Sequence, residues 1–89
     1  RKTASKASRQ AVKAAEAAYE AGDLPGTLVA LQPALDKGDS PDAYELAARV
    51  HLDQLNGAAL QDAVGKGLAL DGRHAGLREV IGRAFVLAG

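Results

Sequence analysis

Small residues and turn residues recur in this 89-residue chain at intervals of 33 or 34. Ala15, Ala48 and Gly82 form one series, and the pairs Ala34-Leu35 and Gly67-Leu68 form another. Gly22 and Gly89 stand 67 residues apart, one interval of each length. A unit of that size holds two helices and cannot bury its apolar face alone, so successive units must stack. An ordinary three- or four-helix bundle needs no such recurrence.

The apolar spacing is helical from about Ser8 to the end, with no strand-like alternation. Ser8 to Ala21 is alanine-rich and stops at Gly22. Asp23 can cap a second helix with Pro25 in its first turn, and Leu28, Leu31 and Leu35 give it a buried stripe. Pro33 lies inside that stripe and is expected to kink the helix or loosen its last turn. Gly38-Asp39-Ser40-Pro41 is a stop followed by a start. A third helix follows to about Gln54, with Tyr44, Ala47, Ala48 and His51 on one side. The fourth, about Gly57 to Leu70, carries Leu60, Val64 and Leu68. Its interior glycines, Gly65 and Gly67, each cost about 0.5–1 kcal/mol against alanine, so it should be the weakest helix. The fifth, about His74 to Ala88, places Leu77, Val80, Ile81, Ala84, Phe85 and Ala88 on one amphipathic stripe. Turns this short between helices this long permit only antiparallel hairpins. The expected fold is therefore all-α, with five helices in one domain.

The last unit carries a recognisable pattern: Ile81-Gly82, then Phe85, then Gly89. Ala14-Ala15, Ala18 and Gly22 fall on the same places in the first unit. Ala47-Ala48 and His51 do so in the second, where Leu55 replaces the closing glycine and Tyr44 stands for the usual tryptophan. This spacing resembles the tetratricopeptide repeat (TPR) family over residues 8–89, in units of about 8–40, 41–74 and 75–89. The resemblance implies a short right-handed solenoid of about two and a half repeats whose first helices line a concave groove for a peptide.

In that register the rows left to face the groove are Tyr19, Leu52 and Val86; Glu16, Arg49 and Arg83; Val12, Glu45 and Glu79; and Glu20, Asp53 and Leu87. An apolar row bordered by charges suits a peptide, the apolar contacts giving affinity and the charges fixing register. The same residues are also compatible with contacts to facing helices or with solvated pairs. Three bases (Arg9, Arg49, Arg83) face six acids (Glu16, Glu20, Asp42, Glu45, Asp53, Glu79), which favours a partner of basic character. The family's carboxylate-gripping lysines and asparagines are missing from these rows, so a chaperone-tail clamp is not expected. Val86-Leu87, beside a Phe85 assigned to the core, makes the last helix apolar almost all round. Such a helix needs cover from a partner, a second copy in a homo-oligomer, or a following segment. A structural spacer or self-association module is therefore the alternative to peptide binding.

Composition removes several classes. Eleven basic and eleven acidic residues cancel, so the whole domain lacks the positive excess of a nucleic-acid binder. The bases gather early, and residues 1–7 read as a frayed basic lead-in or as an arm for phosphate or an anionic membrane. No cysteine is present, and no apolar run is long enough for a transmembrane helix or signal core. The chain contains no methionine, which reads as a processed product or a fragment. Nothing in it chooses between compartments. His51 and His74 lack metal-site spacing, Gly65-Lys66-Gly67 is only a scrap of a phosphate loop, and Ser40 is explained as a cap. No metal, no cofactor and no catalytic constellation is expected.

Overall fold

The computed structural model describes residues 4–88. Residues 1–3 and Gly89 lie outside the described residues, and with them the start of the basic lead-in and the closing glycine of the last unit. Five α-helices follow one another: α1 Lys6–Glu20, α2 Leu24–Lys37, α3 Pro41–Asp53, α4 Gly57–Leu70 and α5 Ala75–Ala88. No strand occurs among the described residues. The α1–α2 and α3–α4 pairs make the most extensive contacts, while α3 packs also on α1, α2 and α5. The chain is thus a stack of helical hairpins, with α5 held mainly by α3 and only lightly by α4.

The sequence period is visible in the helix starts. Asp23 caps α2 by accepting from the Gly26 N–H, and Asn56 caps α4 by accepting from the Ala59 N–H. Ser40 caps α3 at the Ala43 N–H, and His74 takes that part for α5 at the Leu77 N–H. Caps 33 or 34 positions apart therefore satisfy equivalent orphan donors. Burial follows the same register. Thr27 and Leu60 are buried in α2 and α4, and so are Ala34 and Gly67.

α1 begins at Lys6, ahead of the expected start near Ser8, so the lead-in expected over residues 1–7 is already helical at its end. The cause is a cap that reaches across the fold. The Ser5 hydroxyl accepts from the Ser8 N–H, and the Asp39 carboxylate accepts both the Ser5 N–H (2.9 Å) and the Ser8 hydroxyl (2.5 Å). Asp39 lies in the α2–α3 turn, so it ties that turn to the first turn of α1. The Ser8 hydroxyl, first among these donors, holds the Asp39 carboxyl below its ordinary 3.8.

The core is built from short side chains around a few large ones. Leu31, Leu77, Val50 and Val80 are fully buried, and Ala15, Ala34, Ala43 and Ala48 fill the closest approaches between helices. α2 runs on past Pro33, whose ring is on the exposed side, and ends at Gly38 with φ 67°. Gly67 earns its place by contact: a Cβ there would stand 2.6 Å from Leu77 Cδ1 and 3.0 Å from Tyr44 Cβ. A side chain there would force Leu77 or Tyr44 to shift. A Cβ at Gly65 would meet nothing within 4 Å, so that glycine only weakens the helix.

One expectation fails in α5. Only Leu77 and Val80 of its stripe are buried, whereas Phe85 is 74 % exposed and Ala88 is exposed. Periodicity correctly gives α5 an apolar face, but no described helix covers its outer half.

Candidate functional site: a carboxylate-rich groove and an apolar cleft

Several of the residues expected to face a groove come together at one concavity. Glu16, Tyr19, Glu20, Asp42, Glu45, Leu46 and Arg49 line one concavity between α1 and α3. Its walls carry four carboxylates and one guanidinium. That guanidinium is already engaged: Arg49 donates to Glu45 at 2.8 Å and reaches α5 to donate to Glu79 at 2.9 Å. Burial opposes the Arg49 charge, but the hydrogen bonds to Glu79 and Glu45 outweigh it and raise the Arg49 pKa further above its ordinary value. The same hydrogen bond lowers the Glu79 carboxyl, helped by the charges of Arg49 and Arg83. Tyr19 donates its phenol proton to Asp53 at 2.8 Å. Partial burial first, and then that bond, raise the Tyr19 pKa above 10.0. The groove wall is therefore stitched laterally, α1 to α3 by Tyr19–Asp53 and α3 to α5 by Arg49–Glu79.

Other sequence-predicted residues go elsewhere. Val12 is 9 % exposed and belongs to the core cluster, so it is not available to a ligand. The stripe of α1 is alanine (Ala11, Ala15), which lets the helix lie close to its neighbours and covers Val12 at the stripe edge. Leu52 packs against the core and lines a different concavity. Arg83 is exposed, with its charge felt by Tyr19 and Glu79. Val86 is 80 % exposed and lines neither concavity.

The second concavity is an apolar cleft of about 630 Å³ between α4 and α5, closed at one end by the α3–α4 turn. Leu52, Leu60, Val64, Ile81 and Phe85 are among its walls, and none of its twelve lining residues is charged. Leu55 stands at its rim, 80 % exposed, with φ 57°. The equivalent turn after α1 places Gly22 at φ 81°. A left-handed backbone suits glycine and strains leucine.

Sequence spacing missed one cluster. Asp42, Glu45 and His74 bring ligand atoms within 4.8 Å of one another. Their hydrogen bonds explain them as a helix start. His74 Nδ1 accepts from the Leu77 N–H at 3.2 Å, so its proton is on Nε2, which donates to Asp42 at 2.6 Å. A metal at Nε2 would need that proton removed while Nδ1 still accepts, or it would cost α5 its cap. The donor set thus fits a structural pair better than an ion.

Among the described residues no helix is long and apolar enough to cross a membrane. Comparison of the chain with known protein families, curated proteins and solved structures finds no match.

Proposed function

We propose that this chain is a protein-interaction module of tetratricopeptide type that receives a basic peptide segment in the α1–α3 groove. The observation that supports it is the groove's charge: four carboxylates line it, and its one guanidinium is engaged with Glu45 and Glu79. A lysine or arginine side chain entering there meets Glu16, Glu20 and Asp42 with no unpaired cation to repel it. Tyr19 lines the groove beside those charges and adds apolar contact for the stem of such a side chain. The lateral stitching through Asp53 and Glu79 holds the wall in place before the ligand arrives, which lowers the ordering cost of binding.

The test is an amide-resolved NMR titration with a lysine- and arginine-rich peptide and its glutamate-rich counterpart. The basic peptide should shift resonances of Glu16, Tyr19, Glu20 and Asp42 and lose affinity with added salt. Shifts confined to the outer faces of α2 and α4, or equal binding of the acidic peptide, would refute the reading.

A further inference from the structure

Three polar side chains that line the α1–α3 concavity, Asp42, Glu45 and Arg49, stand on α3 and meet α5. Asp42 pairs with His74 Nε2, and Arg49 donates to Glu79. Glu45 is seated differently. Its carboxylate accepts from Arg49 Nε at 2.8 Å and lies against Gly76, in the first turn of α5. A Cβ at Gly76 would stand 2.7 Å from Glu45 Oε2 and closer still to the rest of that carboxylate. A side chain there would force the carboxylate to shift. α2 uses the same device within its own first turn, where the Asp23 carboxylate takes the place of a Gly26 Cβ. The repeat itself does not ask for the glycine. Two positions after the caps Ser5 and Ser40 stand Ala7 and Asp42, whereas two after His74 stands Gly76. Glycine costs helix propensity at this place, and what it provides is the seat of Glu45. The positive end of the α5 dipole favours a carboxylate there.

We propose that Gly76 is a positioning residue for the groove and sets its preference for a basic ligand. The inference rests on the reading of that concavity as a peptide-binding groove. With Glu45 seated against Gly76, Arg49 has an acceptor at Nε and another, Glu79, at a terminal nitrogen. Gly76 thus keeps the one guanidinium of the groove turned to its own wall. A methyl added at 76 displaces the Glu45 carboxylate, which is the far end of a flexible side chain and moves without unpacking the core. Arg49 Nε then loses its acceptor, and the guanidinium becomes available to an anion. Discrimination against an acidic ligand falls, because an unpaired cation in the groove no longer rejects only basic partners.

The Arg49 Nε–H cross-peak in a nitrogen–proton NMR spectrum, assigned by its loss in Arg49→Met, reads the seat without any ligand. Gly76→Ala should keep the helical circular dichroism and speed the solvent exchange of that proton. Calorimetry with the lysine- and arginine-rich peptide and its glutamate-rich counterpart reads the preference. The ratio of the two affinities should fall about two- to fivefold, the scale of one exposed ion pair. A cycle through Glu45→Ala separates positioning from a general change in α5. With no carboxylate left to displace, Gly76→Ala should then move neither reading. Unchanged exchange, an unchanged ratio, or an equal shift in the Glu45→Ala background would overturn the inference and leave the groove reading standing. A parent that does not prefer the basic peptide would overturn the groove reading instead, while the exchange still reports whether Gly76 seats Glu45.

Discussion

Two glycines two residues apart in α4 should respond to the same substitution with opposite sign. Replacing either by alanine removes backbone freedom from the unfolded chain and improves helix propensity, a gain of about 0.5–1 kcal/mol. At Gly65 nothing lies within 4 Å of the new methyl, so Gly65→Ala should realise that gain in full. At Gly67 the methyl would stand 2.6 Å and 3.1 Å from the two Leu77 methyls and 3.0 Å from Tyr44 Cβ. Leu77 is 0 % exposed, and Tyr44 Cβ is fixed to the α3 backbone. Overpacking of this kind costs about 1–3 kcal/mol. Set against the propensity gain, Gly67→Ala should destabilise by about 0.5–2 kcal/mol. Urea unfolding followed by circular dichroism reads both variants, and equal slopes keep the comparison two-state. In a domain of this size each kcal/mol moves the melting temperature by about 4–8 °C, so the two melts should separate clearly. Equal stabilisation by both substitutions would show that α4 does not approach Tyr44 and Leu77 through Gly67.

Asp39→Asn should flatten the acid limb of the stability curve. The folded Asp39 carboxyl lies below its ordinary 3.8, so its contribution is present above that value and is lost as pH falls through the folded one. Urea midpoints between pH 2 and pH 6 check this, and an unchanged acid limb would remove Asp39 as the tie between α1 and the α2–α3 turn. Arg49→Met should free Glu45 and Glu79 and make the groove more negative. A basic peptide should then bind about two- to fivefold tighter at low salt by calorimetry, the scale of one exposed ion pair. Weaker binding would mean that the Arg49 bridge shapes the groove more than its charge opposes a cation.

The five helices are legible in the sequence because each start carries its own chemistry. Asp23 and Ser40 cap at the positions their types suggest, and Gly38 stops α2 with the left-handed backbone expected of it. The groove was legible only where polar residues define it. Tyr19, Glu16, Glu45 and Arg49 come together as their spacing suggests. Val12 shares their register but is apolar, and burial claims it once α1 lies close. Phe85 fails for a related reason: periodicity assigns a face to a helix and says nothing of what covers that face. The polar stitching was less visible still. Tyr19–Asp53, Arg49–Glu79, His74–Asp42 and Ser8–Asp39 are separated by 34, 30, 32 and 31 residues. Each is close to one period, because equivalent helices stand side by side. Pairing donors with acceptors about one period apart would have found them.

His51 shows where the repeat itself recommends a change. Its Nδ1 is buried and, among the described residues, has no hydrogen-bond partner. A buried polar atom left unsatisfied costs about 1–3 kcal/mol. The position 34 residues later holds Phe85, and the one 33 earlier holds Ala18, so neither equivalent helix asks for a polar group there. The His51 ring also borders a concavity of about 340 Å³ between α2 and α4, which leaves room for a slightly larger ring. His51→Phe should therefore stabilise the chain by about 0.5–2 kcal/mol, the relief of the orphaned nitrogen less some repacking. Thermal melts at pH 7 read the change. A loss of stability would refute the assignment, since it would mean that Nδ1 makes a hydrogen bond worth more than the phenyl ring that replaces it.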